Sequence, residues 1–235
     1  MAQRQHWFWA ASINRARTVE NDEAAPHWAD LGKVWTIEQN YIKPYPVCRW
    51  AHASIDALAG LMRVHGFGSS DVAGIEVNTF AQAAALYPGM PITTSQAQYS
   101  LPFALSVMLV HGRIGPDDIS GAGLRDKAVS EVLPCISLRE DGRHSERFPA
   151  GRWSDITVTL RDGGQLSSGD VHARGGPEDP MDMHEIEAKF HTMAASLDTA
   201  RAGALWAMRD RLLQPDATFG ELTALTRAPV VNLHG

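Results

Sequence analysis

The stretch that most restricts this chain is residues 41–56, Tyr-Ile-Lys-Pro-Tyr-Pro-Val-Cys-Arg-Trp-Ala-His-Ala-Ser-Ile-Asp. Pro44 and Pro46 fix φ at their own positions and push Lys43 and Tyr45 towards extended backbone. Side chains alternate along an extended segment, so Lys43 and Tyr45 are predicted to share one face, with Val47 near it. A helix is predicted to begin between Trp50 and Ala53, because Ile55, Leu58, Ala59 and Met62 fall at helical spacing and Gly66 closes the run. A stiff polar segment delivered onto a helix N-terminus suits an anion. Unsatisfied N–H groups, the positive end of the helix dipole, and the cations Lys43 and Arg49 all act in the same direction.

The rest of the sequence limits what such a site can serve. At 235 residues the chain has room for one large or two small domains, and 44% hydrophobic content is ordinary for a soluble protein with a core. A net charge of −6 disfavours a nucleic-acid groove or an anionic membrane surface, whereas a local cationic cluster still suits a small anion. The two cysteines, Cys48 and Cys135, lack zinc or CxxC spacing, so a reduced, cytoplasmic setting is the default expectation. No signal peptide and no membrane span are read from the N-terminal residues 1–17.

Trp7, Phe8, Trp9, Trp28 and Trp35 crowd the first forty residues. They form either an aromatic surface for a partner or two short helices packed on the body, and burial of large aromatics favours the second. A strand is predicted over 72–80 with Ile75, Val77 and Thr79 on one face. Residues 81–96 read as an irregular, lid-like loop. Ser100 reads as the N-cap of a helix that tolerates Pro102 in its first turn, carries Leu101, Leu105, Met108 and Leu109, and ends at Gly112. A short turn at 116–119, a helix over 125–133 and a strand over 135–139 follow. Asp162-Gly163-Gly164 marks a hairpin between arms 153–160 and 165–173. Two helices are predicted after Pro180, one over 183–197 and one carrying Leu205, Met208 and Leu212. The expected fold class is α+β: helices on a short, mostly antiparallel sheet at 39–178, with helical segments at 1–38 and 179–235.

Three motifs carry a family resemblance. Lys43-Pro-Tyr-Pro-Val-Cys-Arg49 with His52 and Ile55-Asp56-Ala57 is one, and Pro91-Ile-Thr-Thr-Ser-Gln-Ala-Gln-Tyr-Ser-Leu-Pro-Phe103 is the second. Asp162-Gly163, Gly175-Gly-Pro, Pro180 and Lys189-Phe190 form the third. In order and spacing they resemble the MmgE/PrpD family, which includes 2-methylcitrate dehydratase, cis-aconitate decarboxylase and iminodisuccinate epimerase. Members of that family are much longer, and the resemblance finds no counterpart here of their N-terminal helical half. It therefore implies that the last helices need a cover: residues 1–40, a second copy of the chain, or a separately encoded half.

The resemblance implies a lyase or isomerase acting beside a carboxylate of a small di- or tricarboxylate, without an organic cofactor or a metal. The competing expectation is a non-catalytic truncated homologue or accessory subunit, because several family histidines and a lysine come from the other half. Lys43 matches a family active-site lysine and would bind a carboxylate as a point charge, with Tyr45, Cys48, Arg49 and Ser100 adding contacts. Cys48 stands where some relatives carry histidine, and Phe103 where a relative has tyrosine. His52 and Tyr99 are the candidates for moving or donating a proton. Each also has a structural reading: Arg49 pairs with Asp56, His52 bonds backbone, Cys48 is a buried small residue, and Tyr99 and Ser100 cap and pack a helix. His184, Glu187 and His191 recur at helical spacing, but apolar Ile186 and Phe190 interleave with them, so no metal is expected there.

Overall fold

The computed structural model describes residue 29 and residues 32–227. The chain divides into a unit ending at Tyr41 and one beginning at Ile42. In the first, a 3₁₀ turn spans Thr36–Gln39. The expectation for Trp7, Phe8, Trp9 and Trp28 lies outside the described residues.

The second unit is a mixed α/β fold with helices on one face of an open five-stranded sheet. The strands are β1 Val72–Thr79, β2 Ile136–Glu140, β3 Trp153–Leu160, β4 Gln165–Ser167 and β5 Val171–His172. The order is β2-β1-β3-β4, with β5 also on β3. β1 alternates as its sequence requires, burying Val72, Ile75, Val77 and Thr79. Its partners fall in register on the same face: Ile75 stands opposite Val158, and Val77 opposite Ile156. The β1–β2 pairing is parallel, Ile75 opposite Ile136, so the chain between them must cross over the sheet. The predicted hairpin forms at Asp162–Gly164, but its second arm breaks after Ser167 and resumes as β5. Ser168 explains the break: its Oγ accepts the Ile156 N–H at 3.0 Å, taking a place that a strand carbonyl would hold.

Two helices fill the space above this sheet. Helix α1, His52–His65, runs from a 3₁₀ turn at Arg49–Ala51 to Gly66, which takes the left-handed C-cap at φ 70°. It buries Ile55, Leu58 and Leu61. The crossover holds α2 Ala81–Ala84, α3 Thr94–Gln98, α4 Leu101–His111 and α5 Lys127–Val132. Two short helices therefore replace the ends of the predicted irregular loop, and the Tyr87 N–H ties the remainder to the Tyr99 carbonyl at 2.9 Å. α4 is capped by Ser100 as predicted, and it is buried all round from Leu101 to Leu109, so the expected one-sided stripe undercounts its contacts. A helix this apolar on every side belongs at the centre of a core. Asp141 caps a one-turn helix, α6 Gly142–Ser145.

The C-terminal part forms α7 Met183–Met193, α8 Thr199–Arg211 and α9 Phe219–Arg227. α7 stops at Met193, short of the predicted 183–197, and α9 was not expected. Phe190 packs against Trp206 at 5.3 Å between ring centres, Arg209 lies over Trp206, and Arg211 binds Glu221. No α7 residue is fully buried, while Leu213 and Phe219 are 79% and 71% exposed.

One close approach fixes where the first motif sits. Gly175, at φ +95°, accepts the Ile42 N–H at 2.8 Å, and a Cβ there would overlap the Ile42 carbonyl oxygen. Only glycine meets both demands. Gly175→Ala is expected to lower stability by about 2–3 kcal/mol in urea unfolding, with the slope on denaturant unchanged.

Candidate functional site

The proline-containing segment is held at both flanks. Before it, Ile42 pairs with Gly175; after it, the Cys48 N–H donates to the Gln98 carbonyl at 2.7 Å. All three sequence motifs thus meet here, since Gln98 and Tyr99 belong to the second and Gly175 to the third. Between the anchors the chain bends over residues 44–47 rather than running straight. The shared face predicted for Lys43 and Tyr45 is accordingly lost. Lys43 turns back and donates from Nζ to the Val47 carbonyl at 3.3 Å, whereas Tyr45 turns to Asp56.

Lys43 and His52 converge on one atom. The same Val47 carbonyl accepts from His52 Nε2 at 3.2 Å. Lys43 is exposed, while His52 is 0% exposed. Burial depresses the His52 pKa to about 3, its backbone hydrogen bond to Val47 opposes this, and the charges of Lys43, Arg49 and Arg174 depress it further. His52 is therefore neutral near pH 7 and committed to the backbone. Cys48 is half-buried; burial raises its pKa, and the nearby Lys43 charge partly offsets that.

Beneath this pair lies a polar cluster that sequence reading saw only in part. The Tyr45 hydroxyl donates to Asp56 Oδ1 at 2.8 Å, and Arg174 Nε donates to the same oxygen at 3.1 Å. Arg174 Nη1 also pairs with Glu185 on α7. Burial raises the pKa of Tyr45, with the Asp56 charge adding to it, so its hydroxyl stays protonated as a donor. The Tyr45 ring stands edge-on to His52 at 5.3 Å. Arg174 was missed as a site residue; its signal was a charged side chain directly before the Gly175-Gly-Pro break.

The other candidates spread around this centre. Arg49 is half-buried, and its charge reaches both His52 and His172. His172 lies tilted against Trp153, 4.8 Å between ring centres, and burial lowers its pKa. Tyr99 is 54% exposed. Ser100 is buried, with its Oγ accepting the Phe103 N–H at 3.3 Å as the cap of α4. Phe103 is fully buried.

Asp141, His144 and Asp155 place ligand atoms within 4.8 Å of one another. Arg143 already occupies that spot, at 2.6 Å from Asp155 and 2.7 Å from Asp170, and His144 Nε2 lies 2.7 Å from Asp155. A guanidinium supplies the positive charge there, so the cluster reads as a tie between α6 and β3. His191 approaches Glu187 at 4.0 Å on a half-exposed face of α7. Among the described residues, no helix is long and apolar enough to cross a membrane.

A two-layer α/β unit in which three motifs converge on a bent, cation-bearing segment defines the class. The family described as MmgE/PrpD C-terminal domain matches residues 45–212, and the chain belongs to that family. The matched span begins just after Lys43 and takes in the second and third motifs. No curated protein matches the chain. The family includes dehydratases and lyases.

The His52 environment has a pH consequence. A histidine held neutral at a folded pKa of about 3, against 6.5 unfolded, contributes stability that is lost as pH falls through that interval. Burial raises the Asp56 pKa, which acts in the opposite sense at the acidic end. Comparing the two proteins isolates the histidine. His52→Gln is expected to flatten the stability–pH curve between pH 6 and 4 by about 1.4 kcal/mol per pH unit, read from urea midpoints across that range.

Proposed function

We propose that this chain is the carboxylate-gripping part of an MmgE/PrpD-type lyase or isomerase acting on a small di- or tricarboxylate. The observation that carries this reading is the exposed Lys43 ammonium, on a segment pinned at Gly175 and Gln98 and flanked by the Arg49 charge. Lys43 needs only to exchange one backbone carbonyl for a substrate carboxylate, a stronger charge-assisted partner. Tyr99, exposed beside the Cys48–Gln98 anchor, is the donor best placed to add a hydrogen bond. No organic cofactor and no metal enter this reading.

The partner is a helical half, carried on a further stretch of polypeptide, or a second copy of the chain. The half-buried stripe of α7 and the exposed Leu213 and Phe219 support such a cover. A cytoplasmic setting fits the two free thiols.

A second reading is a non-catalytic accessory subunit, and the burial of His52 favours it. A neutral, fully buried imidazole bonded to backbone is poorly placed to shuttle protons. The first reading then requires the proton-moving groups to come from the helical half. The two readings separate by turnover. The chain mixed with a helical half of the family is expected to consume cis-aconitate, 2-methylcitrate or iminodisuccinate; no turnover of any of them selects the accessory role. For the grip itself, Lys43→Ala is expected to weaken tricarboxylate binding about tenfold in calorimetry. An unchanged affinity removes Lys43 from the site.

A further inference from the structure

A groove of about 290 Å³ lies between α7 and the body of the fold, where Pro44, Tyr45 and Arg174 line it. Its size is at the lower end of ligand pockets, which run roughly 300–1,000 Å³. Its apolar lining includes the buried Met108 and Ile114, together with Met181 and Met193. Four charged side chains line it, and three of them are already committed. Arg174 is bound by Asp56 and Glu185, Glu185 also accepts the Asp182 N–H at 3.0 Å, and Arg113 pairs with Asp118 at 2.9 Å.

The fourth is Lys189. It is half-buried on α7, lines the groove, and has no carboxylate within ion-pair distance among the described residues. A lysine without a counter-charge, lining a mostly apolar groove, favours an incoming anion over a cation. The methionines supply an adaptable apolar wall for whatever the anion is attached to.

We infer that this groove binds a small monocarboxylate with an aliphatic tail, its carboxylate on Lys189 and its chain against Met108, Met181 and Met193. The inference does not rest on the grip proposed at Lys43, although Pro44 and Tyr45 of the same segment line this groove. The arrangement also places the ligand against Arg174, which ties α7 to α1 by pairing with both Glu185 and Asp56.

The test uses the full chain with methyl-labelled methionine and hexanoate, hexan-1-ol and hexylammonium as probes. Hexanoate is expected to bind saturably and to shift the methyl signals of Met108, Met181 and Met193 among the eight methionines. Hexan-1-ol and hexylammonium are expected to bind at least about tenfold more weakly. Lys189→Gln, checked for retained fold by its unshifted remaining methyl signals, should weaken hexanoate about tenfold, whereas Lys43→Ala should leave it unchanged. Equal binding of hexan-1-ol, no shift of those three signals, or undiminished binding to Lys189→Gln overturns the inference. Loss of binding in Lys43→Ala instead assigns the anion to the other site and overturns it equally.

Discussion

The contact on which the rest of the site depends is backbone against backbone, where Ile42 meets Gly175. It brings the lead-in to the first motif against a loop more than a hundred residues later in the chain. Everything polar in the centre follows from that approach. Once Ile42 is fixed, Pro44 and Pro46 permit few paths, and the bend they impose turns Lys43 outward and Tyr45 inward. Arg174, adjacent to the same glycine, is carried to Asp56 and Glu185 by that docking. A close approach of this kind tolerates no side chain, so a single glycine sets the geometry of several ionisable groups.

Two polar layers result, and they differ in what they offer chemistry. The outer one has an exposed ammonium whose present partner is a carbonyl, the kind of contact that a carboxylate readily displaces. In the inner one, His52 bonds the Val47 carbonyl and Tyr45 bonds Asp56, with burial keeping His52 neutral and the Tyr45 hydroxyl protonated. The proposed grip uses the outer layer, and the buried His52, neutral near pH 7, is poorly placed to move a proton.

Much of the fold was legible because its signals are local. Gly66 and Gly112 ended α1 and α4 where they stand alone after apolar runs, Ser100 capped α4, and β1 showed its buried face by simple alternation. The failures share a cause, which is that non-local contacts overrode local pattern. The second hairpin arm broke because the Ser168 side chain replaced a ladder bond, and α4 was apolar on every face because layers close around it. Within the site, the residue types around Lys43 were plain from sequence, and so was the family they belong to. Alternation placed Lys43 and Tyr45 together, but the bend between two anchors put them apart. Arg174 reaches Asp56 across 118 positions of chain, so no spacing rule announces it.

The central claim is that the segment at 42–48 is held rigid so that Lys43 can accept a carboxylate. The most direct measurement is a crystal structure of the chain soaked with propane-1,2,3-tricarboxylate, which offers the charges of a substrate without a reactive carbon. The account predicts one carboxylate on Lys43 Nζ, released from the Val47 carbonyl, with the Ile42–Gly175 and Cys48–Gln98 bonds unmoved. Ligand density elsewhere, with Lys43 still on Val47, would contradict it.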